Sequence, residues 1–148
     1  MTRSSGVRFL LDVNVLVALA FPDHQLNTRA HAWFRRESGR EWATCALTQA
    51  GFLRQACRVL GGSRAAIREA LAGLERDCQN SYHEYWPVDT DLRELSASVR
   101  SRLIGPNQTT DMQLLMLAHR QKGQLATFDR GLRELAAGTR YSNSLLVL

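Results

Sequence analysis

Three aspartates lie beside apolar segments at widely separated places in this 148-residue chain. Asp12 follows the apolar run 7–11, Asp129 follows 125–128, and Asp111 precedes the apolar segment 112–118. If the runs before Asp12 and Asp129 are parallel strands, both carboxylates leave the sheet at its carboxyl edge, where open α/β folds build ligand sites. Carboxylates gathered there repel one another and need a cation, for which the hard ions Mg²⁺ and Mn²⁺ are the obvious candidates. The placement predicts a metal-dependent enzyme.

Each aspartate also has a structural explanation when it is taken alone. Asp12 and Asp129 could be helix N-caps, and Asp111 could favour the positive end of a helix dipole. Two neighbouring polar residues make the joint placement harder to dismiss. Asn14 adds a second polar group to an apolar segment, and Thr127 lies two residues before Asp129, on the same face of an extended strand.

Length and composition predict one ordinary domain, residues 1–148, in which 45% of the residues are hydrophobic. The chain has no apolar run long enough for a membrane span and no pattern of a signal peptide, so neither a membrane partner nor export is expected. Its three cysteines form no CxxC pair, which argues against a disulfide framework or a zinc site and fits the cytoplasm. The four histidines show no ligand spacing and are expected at the surface or in packing.

The formal net charge is +5, and eighteen of the nineteen cationic residues are arginine, with Lys122 as the one lysine. Arginine grips phosphate groups in a bidentate manner, so this balance is compatible with nucleic acid as a partner. A genome that prefers arginine codons would give the same composition. Charge alone leaves both explanations open.

The hydrophobic pattern alternates between short apolar runs and segments with helical periodicity. The predicted strands are residues 7–11, 41–45, 82–88, 124–128 and 144–148. The predicted helices are 13–20, 27–37, 48–60, 64–78, a helix from Asp89 or Thr90 to about 103, one from Thr109 or Thr110 to about 121, and 129–137. Strands separated by helices predict a three-layer α/β/α sandwich with a mostly parallel central sheet, whose strand order the pattern does not give.

Four segments together resemble the motifs of a known family. Residues 9–19, FLLDVNVLVAL, resemble the opening of PIN domains, a nuclease fold, and residues 42–54, WATCALTQAGFLR, resemble their second motif. Residues 110–115, TDMQLL, and 125–130, LATFDR, resemble the third and fourth motifs. The four occur in the family's order across most of the chain, and they are most similar to the toxin component of VapBC toxin–antitoxin pairs.

This resemblance implies a PIN-like α/β/α domain and a Mg²⁺-dependent endoribonuclease, the toxin of a type II toxin–antitoxin system, with Mn²⁺ as a possible substitute ion. It assigns metal-site roles to Asp12, Asp111 and Asp129, and it implies a homodimer, an RNA substrate and a small antitoxin partner. The chain departs from the family at Gln49, where a glutamate is usual. Glutamine can accept a hydrogen bond but cannot act as a carboxylate base.

Supporting roles follow for other residues. Asn14 and Thr127 would orient metal ligands or waters. Gln49, in the second motif, would be a further member of the catalytic site. Four arginines could grip the RNA backbone or form a solvated basic face, with Arg54 favoured because it is closest to the second motif: Arg54, Arg58, Arg64 and Arg68.

Two other functions compete with the nuclease. A phosphohydrolase of the haloacid dehalogenase type also opens with a strand that ends in aspartate, but its second acidic position is Asn14 here and Lys122 is the sole candidate for its lysine. A catalytically silent PIN-like module would bind RNA or antitoxin without cutting, and Gln49 is the feature that favours it.

Overall fold

A five-stranded parallel sheet forms the centre of the protein. The computed structural model describes residues 6–36 and 40–148. The strands are β1 (Phe9–Leu11), β2 (Trp42–Thr44), β3 (His83–Tyr85), β4 (Gln124–Thr127) and β5 (Leu145–Val147). Their spatial order is β3-β2-β1-β4-β5, and every pairing in this sheet is parallel. The order reverses direction between β1 and its two neighbours, which creates a topological switch point at the carboxyl end of β1.

Seven helices flank this sheet in the described residues: α1 (Val13–Ala20), α2 (Asn27–Arg35), α3 (Ala46–Val59), α4 (Arg64–Cys78), α5 (Ala97–Arg100), α6 (Gln108–Arg120) and α7 (Leu132–Ala136). Two single 3₁₀ turns, Leu92–Glu94 and Ser142–Ser144, complete the regular structure of that part of the chain. None of the helices in the described residues is long and apolar enough to span a membrane.

Alternation along the strands divides the apolar residues between two cores. Leu10 and Leu125 point to one face, where they pack with α5, α6 and α7. Phe9, Leu11 and Ala126 point to the other face, where they pack with α1, α2, α3 and α4. The prediction of an α/β/α sandwich is therefore confirmed.

The predicted helix from Asp89 or Thr90 to about 103 is wrong as a single element. The structure has the 3₁₀ turn Leu92–Glu94, capped by Asp91, and then α5, capped by Ser96. Between them Leu95 adopts an extended conformation, with φ −63° and ψ 134°, which ends the first turn. Serine and aspartate side chains that bond to nearby backbone amides favour such interruptions.

The other differences concern the ends of elements. The five strands are shorter than predicted, and the last helix begins at Leu132 instead of Asp129. Asp129 Oδ1 accepts a hydrogen bond from the amide of Gly131 at 2.9 Å, so its side chain stabilises a turn before the helix. The predicted end of the 27–37 helix lies outside the described residues, and α2 ends at Arg35.

Gly51 allows α3 to approach α1 closely. A Cβ atom at Gly51 would lie 2.5 Å from Cγ2 of Val13, whose branched side chain has little freedom to move. Gly51→Ala is therefore expected to destabilise the fold by about 1–3 kcal/mol, in spite of the better helix propensity of alanine. Urea unfolding measures this change.

Gly73→Ala is the matched control, because Gly73 is also helical and its Cβ would meet only a flexible arginine tip, Nη2 of Arg76, at 3.7 Å. This variant is expected to gain about 0.5–1 kcal/mol. Equal stability changes for the two variants would show that the approach of α3 to α1 tolerates a methyl group.

Candidate active site

Three parallel strands end at one edge of the sheet and carry the candidate residues there. Leu11 of β1 is in register with Ala126 of β4, and the amide of Asp12 extends this ladder by donating to the Ala126 carbonyl at 3.0 Å. Asp12 and Thr127 therefore lie side by side although they are far apart in sequence. The second motif reaches the same edge because Thr44 ends β2, the other neighbour of β1.

Asp12 is nearly buried, with 8% of its surface exposed, and both its carboxylate oxygens are bonded. Oδ1 accepts from the amide of Val13 at 2.8 Å and so caps α1, while Oδ2 accepts from the Thr127 hydroxyl at 2.7 Å. Burial raises the pKa of Asp12 above its ordinary value, the hydrogen bonds from Thr127 and Val13 oppose this, and the charge of Asp129 adds to it. Asp12 is thus both a helix cap and a member of an acidic cluster.

The Thr127 hydroxyl uses its complete hydrogen-bonding capacity, one donor and two acceptor sites. It donates to Asp12 Oδ2, and it accepts from Asn14 Nδ2 at 3.2 Å and from the Asp129 amide at 3.0 Å. Asn14 Oδ1 in turn accepts from the Phe128 amide at 3.2 Å. Asn14 and Thr127 therefore fix the backbone that carries Asp129 relative to Asp12.

Asp111 lies in the first turn of α6, is half-buried, and accepts no hydrogen bond from a described residue. Burial, followed by the negative charges of Asp12 and Asp129, raises the pKa of Asp111 to about 6. The repulsion shows that the three carboxylates share one electrostatic environment. In the described part of the chain none of them forms an ion pair with a cationic side chain.

This donor set suits a hard divalent ion, because it consists of carboxylate oxygens whose negative charge no nearby cation compensates. The three carboxylates do not form a complete metal-binding cluster in this conformation. Within residues 6–36 and 40–148, no group of three or more His, Cys, Asp or Glu side chains is close enough together to hold a metal ion. The aspartates thus interact through their charges, and binding a common ion requires their side chains to move closer.

Gln49 lies in the first turns of α3, and its hydrogen bond is with the sheet and not with the aspartates. Its Nε2 donates to Thr44 Oγ1 at 3.0 Å, and Thr44 Oγ1 lies 2.8 Å from Nε2 of His83. Neither Thr44 nor His83 is predicted to be functional from the sequence. Thr44 lies within the second motif, whereas His83 carries no sequence signal for this contact.

The four predicted RNA-binding arginines are all exposed and contact none of the three aspartates. Arg54 follows Gln49 by five residues on α3, about 7.5 Å along the helix axis, and Arg58 lies one turn further away. Arg64 and Arg68 belong to α4, beyond the turn in which Gly61 and Gly62 have positive φ. The structure therefore does not gather these four into one cluster with the acids.

Arg29 is a cation near the site that the sequence analysis missed. Its guanidinium lies 5.9 Å from the ring centroid of Phe128, the residue before Asp129. Cation–π contacts of this kind are worth about 0.5–1 kcal/mol at exposed positions. The contact brings a positive charge to the loop that carries Asp129.

Comparison with known proteins identifies the family. The model of the PIN domain matches residues 9–138. Ribonuclease VapC44 of Mycobacterium tuberculosis is 40% identical over 126 residues, which are 85% of this chain and 89% of that protein. Ribonuclease VapC39 of the same species is 35% identical over 134 residues, with 86% and 93% covered.

A solved structure shares the fold. The protein PAE2754 of Pyrobaculum aerophilum superimposes with a TM-score of 0.58 over 93% of this chain and 90% of that one, at 20% sequence identity. The chain matches the family model over most of its length and contains the four motifs and the parallel sheet. It also has an acidic edge, which is the edge of the sheet where Asp12, Asp111 and Asp129 lie. The chain belongs to the PIN-domain family, among its VapC-type members.

Proposed function

We propose that this protein is a metal-dependent endoribonuclease, the toxin of a type II toxin–antitoxin pair, that hydrolyses RNA phosphodiester bonds. The observation that carries the proposal is the acidic edge, where burial and then the charges of Asp12 and Asp129 raise the pKa of Asp111, and where no described cationic side chain pairs with the three. The names of the similar proteins, ribonucleases VapC44 and VapC39, support the same activity.

Asp12, Asp111 and Asp129 are the residues that would hold the ion, either Mg²⁺ or Mn²⁺. When bound, such an ion polarises a phosphodiester and lowers the pKa of a bound water, which can then attack phosphorus. The protein contributes orientation. Val13 and Thr127 hold the Asp12 carboxylate by its two oxygens, Thr127 accepts from the Asp129 amide, and Asn14 accepts from the amide of Phe128 just before it.

RNA would reach this edge under the attraction of the exposed arginines. Arg29 and Arg54 are best placed to contact phosphates, since Arg29 of α2 lies over the ring of Phe128, next to Asp129, and Arg54 follows Gln49 on α3. Arg58, Arg64 and Arg68 would contribute mainly through the net positive charge of the protein, which is +5.

We also propose the partners that the family resemblance implies. A groove of about 490 Å³, lined by apolar side chains that include Leu16, Phe34 and Phe52, is the surface that we assign to the antitoxin. A homodimer would cover the exposed apolar residues Val59 and Leu71 of α3 and α4. Sedimentation of the protein alone, and then with the product of the adjacent gene, tests both assignments. A strict monomer that does not bind that product would contradict them.

RNA cleavage as a function of metal tests the activity itself. Purified protein with structured RNAs is expected to cut in Mg²⁺ or Mn²⁺ and to stop when EDTA is added. A protein that is inert at every concentration of both ions, with a range of RNAs, would refute the nuclease and favour the catalytically silent module.

Gln49→Glu is expected to tighten Mg²⁺ binding, because it adds a carboxylate to an edge that already attracts cations. The half-saturating Mg²⁺ concentration for cleavage should fall about tenfold, with little change at saturating Mg²⁺. Titration of cleavage rate against Mg²⁺ for the parent, Gln49→Glu and the control Gln49→Ala measures this. An equal Mg²⁺ requirement in all three proteins would show that position 49 does not influence the ion.

A further inference from the structure

A chain of hydrogen bonds connects Gln49 to the strand at the far edge of the sheet. Thr44 is fully buried at the end of β2, and its hydroxyl lies 3.0 Å from the amide nitrogen of Gln49 and 2.8 Å from the imidazole Nε2 of His83. His83 begins β3 and packs on the ring of Trp42, with a centroid distance of 4.6 Å. Gln49 Oε1 accepts no hydrogen bond from a described residue, so its oxygen is free.

The protonation of His83 decides the direction of this chain, because a hydroxyl can either donate or accept. Burial lowers the pKa of His83, as does the charge of Arg8, while the Cys78 carbonyl and Glu84 oppose this. The imidazole is therefore neutral at pH 7, with one donor nitrogen and one acceptor nitrogen. A hydrogen bond to the Cys78 backbone requires a ring N–H, and because Nε2 faces the Thr44 hydroxyl, we assign that proton to Nδ1.

Nε2 of His83 is then the acceptor nitrogen, and the Thr44 hydroxyl donates to it. The lone pairs of the hydroxyl remain for Gln49, whose carboxamide must present its nitrogen to Thr44. The Cys78 thiol, which also lies near the Thr44 hydroxyl, has a pKa raised mainly by burial and remains protonated. The order of bonds thus runs from the Gln49 amide to Thr44, from Thr44 to His83, and from His83 to the Cys78 carbonyl.

We propose that Thr44 and His83 are positioning residues that fix the Gln49 carboxamide in one orientation, with its nitrogen on Thr44 and its oxygen free to accept a hydrogen bond from the water that attacks the RNA. The role of the water rests on the proposed function, whereas the fixed orientation does not. The hydrogen-bond chain explains how a neutral residue can serve at a position where the family usually has an acid. An amide that could flip would offer the water an N–H group as often as an oxygen.

Nitrogen NMR of the histidine rings tests the orientation without any activity. In the metal-free parent, His83 is expected to be neutral with its proton on Nδ1. In Gln49→Glu the carboxylate can only accept, so the Thr44 hydroxyl must turn to it and His83 must then donate from Nε2. A proton should therefore appear on Nε2 in that variant.

Gln49→Ala is the matched control, because it removes the amide and leaves the Thr44 hydroxyl free to donate to His83. Its imidazole should keep the proton on Nδ1. A parent protein with a protonated Nε2, or a Gln49→Glu variant whose imidazole is unchanged, would overturn the proposal. Both results are independent of whether the protein cuts RNA.

Cleavage rates test the role of Thr44 in the reaction. Thr44→Val is expected to lower the rate at saturating Mg²⁺ and RNA about tenfold, and Thr44→Ser should restore most of it, because serine keeps the hydroxyl. In a Gln49→Ala background, Thr44→Val should cause no further loss. An additive loss there would show that Thr44 acts through something other than Gln49 and would overturn the positioning role.

These assays are run below the unfolding temperature of every variant, which is measured first. If Thr44→Val does not fold, the NMR comparison of the parent with the two Gln49 variants still decides the orientation. If the parent cuts no RNA, the proposed function fails, while the NMR result supports or overturns the fixed carboxamide separately.

Discussion

Asp111→Asn is expected to make the metal-free protein more stable and to reduce RNA cleavage at least about 100-fold. Asparagine removes a charge that burial disfavours and that Asp12 and Asp129 repel, and Asp111 has no hydrogen bond from a described residue to lose. The difference between a pKa of about 6 and the ordinary 3.8 would correspond to about 3 kcal/mol in a fully buried site. Because Asp111 is only half-buried, screening by water reduces the expected gain to about 1 kcal/mol.

The pH dependence has a definite sign. A carboxyl group whose pKa is raised on folding favours the folded state while it is protonated, and this contribution is lost as the pH rises through about 6. The advantage of Asp111→Asn over the parent should therefore be largest above pH 7 and shrink as the pH falls from 6 towards 4. Urea unfolding in EDTA across this range measures it.

Asp23→Asn is the control, since it makes the same change of charge at an exposed residue away from the site. It should show neither the gain in stability nor the loss of cleavage. An Asp111→Asn variant that is less stable than the parent at pH 7.5 would mean that Asp111 has a structural role.

Thr127→Val is expected to destabilise the protein by about 3 kcal/mol although the two side chains have nearly the same shape. The substitution leaves Asp12 Oδ2, Asn14 Nδ2 and the Asp129 amide without the hydroxyl that joins them. A buried group left without its partner costs about 1–3 kcal/mol, and a charged group costs more, so Asp12 accounts for the largest share. Such a loss is a substantial part of the stability of an ordinary domain.

Thr127→Ser is the matched variant, because it keeps the hydroxyl and loses only a methyl group at a buried position. Its cost should be about 1 kcal/mol. Urea unfolding at pH 7.5 compares the two. Equal losses would assign the effect of Thr127→Val to packing and would show that the three hydrogen bonds contribute little.

The apolar runs and the residues that follow them were enough to predict the acidic edge. Asp12 directly follows a buried parallel strand, Asp129 follows another with only Phe128 between, and such strands end at a common edge. Asn14 and Thr127 could also be anticipated, because a polar side chain in an apolar segment needs a partner. Local sequence therefore identifies residues that belong to the strand ends.

The approach of Asp111 could not be predicted in the same way, because it depends on how α6 packs against the sheet. The connection from Thr44 to His83 depends on the pairing of β2 with β3, and the pattern of the sequence gives no strand order. His83 was expected only at the surface or in packing, since histidines reveal a role by spacing only when they share an element. The interruption near Leu95 was missed because helical periodicity continues across it.

The hydrogen bond between Thr127 and Asp12 joins residues 115 positions apart, which has a consequence for protein synthesis. The ribosome makes Asp12 first, and the Thr127 hydroxyl that holds its Oδ2 atom follows 115 residues later. A growing chain that stops before β4 lacks one of the two strands that pair with the central strand β1 and cannot assemble the edge. Assembly of this edge therefore waits until translation has passed residue 129.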